Sequence, residues 1–128
     1  MQNPLLIEET KFDFRIYVLI KSLSPLKVYV YEEGLCRLAT VPYQKPTPEN
    51  WSNTRMHLTN YAINQNSPDY VFNKSELEDH LGHKRSLSSA HKALEEQGAD
   101  IQALKDKIDG IIVKTIMACS PSMLRKYR

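Results

Sequence analysis

The sequence predicts an α+β fold, an antiparallel sheet followed by packed helices, because strand-type alternation is confined to residues 11–40 and helix-type periodicity to residues 86–120. The length adds a third observation. At 128 residues, 41% hydrophobic and 25% charged, the chain suits one packed domain over 1–128 and excludes a disordered polymer.

The elements follow in chain order. In KFDFRIYVLIK (11–21), Phe12, Phe14, Ile16, Val18 and Ile20 share one strand face, while Lys11, Asp13, Arg15 and Tyr17 begin the other. Ser22 to Pro25 supply turn chemistry, and LKVYVYEEG (26–34) reads as the returning antiparallel strand. Gly34 permits a sharp bend before LCRLAT (35–40), which predicts a third strand and a β-meander. Residues 41–56, with Pro42, Pro46 and Pro48, read as loop, as do QNSPDYVFN (65–73). HLTNYAIN (57–64) is short and mixed. Ser86 or Ser88 is placed to cap a helix running towards Gln97 and ended by Gly98. Ile101, Leu104, Ile108, Ile111, Ile112, Thr115, Ile116 and Cys119 recur at helical spacing from about Asp100 to Ser120, which predicts a core-facing stripe with Pro121 beyond the helix end.

Charge and cysteines narrow the function. Lys plus Arg number 17 and Asp plus Glu 15, a net +2 that argues against a nucleic-acid partner. No apolar run reaches the roughly 18 residues of a bilayer span, so no membrane partner is expected. Cys36 and Cys119 lack metal-type spacing and read as reduced thiols of a cytoplasmic protein. His80 and His83 lie three apart, yet no cysteine or acidic cluster completes a zinc site.

Four constellations remain. On a strand, Lys11, Asp13 and Arg15 project from one face about 7 Å apart in successive steps. That row fits either a solvated sheet face or a polyanionic nucleotide, with Lys as a point charge, Arg as a planar fork and Asp as a hydroxyl acceptor. Arg37 either faces the same cleft as Arg15, where two guanidinium groups suit a carboxylate, or pairs at the surface with Glu32 or Glu33. His57, Thr59, Asn60 and Tyr61 put several short polar groups on an irregular segment. Lys84 and Arg85 form a basic knot ahead of a helix, either solvated or anion-binding, and the basic residues of 125–128 complement a helix end.

Taken in series, NPLLI, KFDFRIYVLI, VYVYEEGLCRLAT, MHLTNYAIN, GHKRSLS and DGIIVKTI resemble the tubulin tyrosine ligase-like family, in its tubulin polyglutamylase branch, over almost the whole chain. The resemblance implies a partial ATP-grasp fold with ATP and magnesium (Mg2+) as cofactors. It implies that Lys11, Asp13, His57, Thr59 and Asn60 line the ATP site, with Asp13 on the ribose. Arg15 and Arg37 match cationic catalytic positions, and Arg37, Tyr61 and Lys84 lie near the incoming amino acid. Many relatives carry serine where this chain has Ala62, so one hydrogen bond to the amino acid is expected to be missing.

The implied reaction is a ligation. An acceptor carboxylate on the acidic C-terminal tail of tubulin is phosphorylated at the expense of ATP, and the amine of free L-glutamate then displaces phosphate. A truncated, non-catalytic tail-binding relative and a glycine-adding ligase are the alternatives. The magnesium ligands, an Asp and a Glu-x-Asn group, are expected beyond Arg128, with no metal ligand in the chain itself. The glycine-rich loop is expected upstream of Met1, so the domain reads as incomplete at both ends. A monomer at cytoplasmic microtubules of the cytoskeleton, cilium or basal body completes the expectation.

Overall fold

The computed structural model describes residues 3–75 and 78–126. Strand β1 (Phe12–Leu23) and strand β2 (Leu26–Leu38) form an antiparallel hairpin, and a three-residue strand β3 (Lys84–Ser86) pairs with the far end of β2. The sheet order is β1-β2-β3. Two short helical turns, α1 (Thr54–His57) and α2 (Tyr61–Asn64), cross the connection, and α3 (Leu87–Glu96) and α4 (Ile101–Lys126) close the chain. The α+β class and the antiparallel sheet thus stand.

The meander does not. Residues 35–38 continue β2 rather than turning back, and the third strand comes from the basic knot at 84–86. Gly34 lies in mid-strand because a Cβ there would meet the Arg15 carbonyl oxygen at 2.5 Å. It allows two backbones to approach closely instead of bending one. Cys36 and Leu38 alternate with Leu35 and Arg37, so one sheet face is sealed and the other is left for polar chemistry.

On the sealed face, Ile7, Cys36, Leu38, Ala90 and Leu94 form the core, with Phe12, Phe14, Ala93, Ala99, Ile101 and Leu104 packed on it. Each large side chain sealed there contributes about 1.5–3 kcal/mol. Burial also pushes the Cys36 thiol up to about 12, which makes it an inert core group. Cys36 and Cys119 are both free.

Helix α3 is set by its ends. The Ser86 hydroxyl accepts the Ser89 N–H at the first turn, and Gly98, with φ +87, turns the chain after Gln97. Helix α4 departs from expectation at its end. It runs through Pro121 to Lys126, because the ring removes one N–H but fixes φ near a helical value, about −65°. Its apolar stripe is covered in larger part: Ile101 and Leu104 pack on the core, Ile108 and Ile112 are half-buried and Ile116 is buried, whereas Ile111, Thr115 and Cys119 are exposed. No helix among the described residues is long and apolar enough to cross a membrane.

Candidate functional site

Sheet register builds the site. Asp13 lies opposite Arg37 and Arg37 opposite Lys84, so one row of charged side chains crosses all three strands. Arg15 stands one step along, opposite Leu35. Strand alternation puts these side chains on the face away from the core.

Above this face the connection between β2 and β3 folds back. A cleft of about 260 Å³ results, lined by Arg15, Tyr17, Leu35, Arg37, Leu38, Thr59, Tyr61, Tyr70, His83 and Lys84. Asn64 fixes the overhang. Its Oδ1 accepts the Thr40 N–H at 3.0 Å and the Thr40 hydroxyl at 2.9 Å, while its Nδ2 donates to the carbonyls of Leu58 and Asn60. Thr59 and Tyr61 are thereby held over the strands. The inner wall is aromatic: Tyr70 meets Tyr61 edge-on at 5.9 Å, Phe72 at 4.6 Å and stacks on His83 at 5.3 Å.

Five of the residues singled out from the sequence therefore line one space: Arg15, Arg37, Thr59, Tyr61 and Lys84. Asp13 adjoins it through a forked pair, in which Arg37 Nε donates to Oδ1 at 3.0 Å and Nη2 to Oδ2. This bonding to Asp13 raises the pKa of the Arg37 guanidinium. The alternative pairing of Arg37 with Glu32 or Glu33 is not what the structure shows. Glu33 instead accepts the N–H and hydroxyl of Ser88 at 3.1 and 2.7 Å.

Lys11, His57 and Asn60 lie outside the cleft lining. Lys11 Nζ donates to the His57 carbonyl at 2.9 Å, tying β1 to α1. The His57 ring faces Tyr43 edge-on, and its Nε2 pairs with the Asn50 carbonyl at 3.1 Å. Asn60 occupies the N-cap position of α2 with no capping bond from its side chain.

Two neighbours of Lys84 stand differently from their reading in the sequence, and the Arg85 of the basic knot is neither solvated nor open to a ligand. Arg85 is 3% exposed and points to the opposite face from Lys84, where it forks onto Glu8 with both contacts at 2.8 Å. That bond to Arg85 holds the Glu8 carboxyl below its ordinary range. The strand period separates Lys84 from Arg85, and β3 was too short to announce itself. The second is His83, weighed in the sequence only with His80 as a metal pair, which here lines the cleft.

The electrostatics favour an anion. Arg15 and Lys84 have no carboxylate partner among the described residues, and the Arg15 guanidinium lies 5.8 Å over the Tyr17 ring. Guanidinium and ammonium groups beside Thr59 and an aromatic wall suit a nucleotide phosphate or a carboxylate. Magnesium is a different matter. No group of three or more His, Cys, Asp or Glu side chains comes together among the described residues, so they do not fit a metal site of their own.

Comparison with known proteins agrees with these motifs. The probable beta-tubulin polyglutamylase of Tetrahymena thermophila is 44% identical over 128 residues, 100% of this chain and 11% of that protein. The tubulin polyglutamylase TTLL11 of Homo sapiens is 42% identical over 126 residues, 98% of this chain and 17% of the relative. The tubulin polyglutamylase TTLL5 of Mus musculus is 46% identical over 119 residues, 92% of this chain and 9% of the relative. The chain thus spans between 9% and 17% of the length of these relatives. The profile of the tubulin-tyrosine ligase family matches residues 1–128, and the chain belongs to that family.

Proposed function

We propose that the full-length protein is an ATP-dependent ligase that adds glutamate to glutamate side chains of tubulin C-terminal tails. This chain supplies part of its catalytic domain, in an ATP-grasp arrangement, and the protein works as a monomer on cytoplasmic microtubules, those of cilia and basal bodies included. The observation that carries the reading is the gathering of Arg15, Arg37 and Lys84 around one cleft with Thr59 and Tyr61. The relatives named as tubulin polyglutamylases supply the substrate class.

The chemistry demands that anionic partners share one space. When bound, ATP supplies the phosphoryl group that activates the acceptor carboxylate. Arg15 and Arg37 offset the repulsion between that carboxylate and the phosphates, and Arg37 is held in place by Asp13. Thr59 offers a hydroxyl to the same space, and Tyr61 closes one side of it. Lys84 adds a cation that a glutamate side chain can use and glycine cannot, which favours glutamate as the added residue. Neither Arg15 nor Arg37 is a proton-transfer residue. Their contribution is orientation and charge, terms that account for much of the acceleration in phosphoryl transfer.

The test is incorporation of labelled glutamate into tubulin by the full-length protein. Arg37→Ala is expected to lower incorporation by about a hundredfold, the scale of losing one preorganised cationic donor. Undiminished incorporation would remove Arg37 from the substrate contacts, and a wild-type protein that incorporates no glutamate would overturn the reading.

A further inference from the structure

His83 lines the cation-lined cleft beside Lys84, yet nothing above gives it a task. Its position is fixed from several sides. The His83 N–H donates to the Val71 carbonyl at 3.1 Å, and its carbonyl accepts the Leu38 N–H at 2.8 Å. The preceding Gly82 lets the Asn73 side chain lie against it, where a Cβ would displace that side chain. The ring stacks on Tyr70 with 28° between the planes.

The ring nitrogens are not equivalent. Nδ1 accepts the Val71 N–H at 3.0 Å, so it holds no proton, and in the neutral ring the proton sits on Nε2. Nε2 has no hydrogen-bond partner among the described residues. A rigid N–H donor without a protein acceptor, in a cleft already lined by cations, is a group prepared for an anionic oxygen. We propose that His83 is a ligand-contacting residue of this cleft, its Nε2–H donating to an anionic oxygen, carboxylate or phosphate, of the bound substrate.

Burial first, and then the nearby Arg85 charge, hold the ring below the ordinary histidine range, in keeping with a neutral donor. A neutral donor adds direction where Arg15, Arg37 and Lys84 add charge, so it selects the orientation of a ligand rather than its sign. The inference rests on the proposed function for the identity of the ligand, but not for the contact itself.

His83→Asn separates contact from scaffold. Its amide oxygen can still accept the Val71 N–H, while the distant donor is gone; His83→Gln returns a donor at about the lost position. Binding of two probes, a hexaglutamate peptide and inorganic tripolyphosphate, is to be measured by calorimetry on the full-length protein beside its glutamate-incorporating activity. His83→Asn is expected to keep the urea midpoint of the wild type and to weaken one probe about tenfold, a donor to a charged acceptor being worth at least that much. His83→Gln is expected to recover most of it. Weakened hexaglutamate assigns the contact to a carboxylate, and weakened tripolyphosphate assigns it to a phosphate. Unchanged affinity for both probes overturns the proposal, as does a wild-type protein that binds neither. Nitrogen-15 spectra of the unmutated ring give a check that needs no variant: Nε2 carries the proton and shifts when the probe is added, and a ring protonated on Nδ1 is a contrary result. Probe binding that depends on His83 in a protein without ligase activity would overturn only the ligase reading.

Discussion

Asn64, 1% exposed, joins the end of β2 to the overhang of the cleft through four hydrogen bonds. Removing it leaves the Thr40 N–H, itself buried, without its acceptor and frees the carbonyls of Leu58 and Asn60. We expect Asn64→Ala to cost about 2–4 kcal/mol, since each stranded buried group costs about 1–3 kcal/mol and water reaches some of them. A urea titration reads the loss; an unchanged midpoint would mean that the overhang does not depend on this side chain. Asparagine is ordinarily a surface residue, so its burial had no signature in a segment as short and mixed as 57–64. The fork between Glu8 and Arg85 was equally hidden, because 77 positions separate its partners. Asp13 and Arg15 were the easier case, whereas Lys11 precedes β1 and is tied to α1. A strand period of two places Asp13 and Arg15 on one face before any partner is known.

At the scale of elements, β3 and α3 form one anchored corner. Asp79 accepts the N–H of Ser86 at 2.9 Å and also its hydroxyl, while Glu33 reaches from β2 to Ser88 in the first turn of α3. Two carboxylates thus sit where a helix has spare N–H groups and the positive end of its dipole. Partial burial works to raise the Glu33 pKa, but hydrogen bonds from the Ser88 hydroxyl and from the N–H groups of Gly34 and Ser88 outweigh it. The net effect is a folded value below the ordinary 4.5. The stability it contributes is therefore complete above pH 4.5 and is lost as the pH falls through the folded value. Glu33→Gln is expected to be less stable than the wild type at neutral pH and to lose less on acidification, a difference read from urea midpoints at pH 7 and pH 3. Parallel acid curves for the two proteins would show that Glu33 is not part of the anchor. The long strands and α3 were legible because alternation, a capping serine and Gly98 are local signals. Strand β3 was not, since three residues carry no period and their place is set by β2. The stripe on α4 was legible in the same way as α3: Ile101, Leu104, Ile108, Ile112 and Ile116 are buried or half-buried, and the positions that stay exposed are Ile111, Thr115 and Cys119.

Over the whole molecule, a net charge of +2 is spread so that three cations, Arg15, Arg37 and Lys84, ring one cleft. Concentrating like charge there favours a polyanion, but two features limit how tightly the chain alone can hold one. Arg15 and Lys84 are exposed, so water and salt screen them, and contacts of that kind contribute about 1 kcal/mol or less each. The described residues also bring together no carboxylate cluster to fix magnesium against the phosphates. A nucleotide in this cleft would thus rest on a few screened contacts, Thr59 and the aromatic wall. We expect residues 1–128 to bind ATP with a Kd of about 1 mM or weaker, some −4 kcal/mol. The affinity should fall further as salt rises, and added magnesium should not strengthen it. Calorimetric titration of the 128-residue chain with ATP, with and without magnesium and at two salt concentrations, makes the comparison. Micromolar affinity that appears only with magnesium would mean that this chain completes a metal site by itself, and the division of labour proposed for the full-length ligase would have to be redrawn.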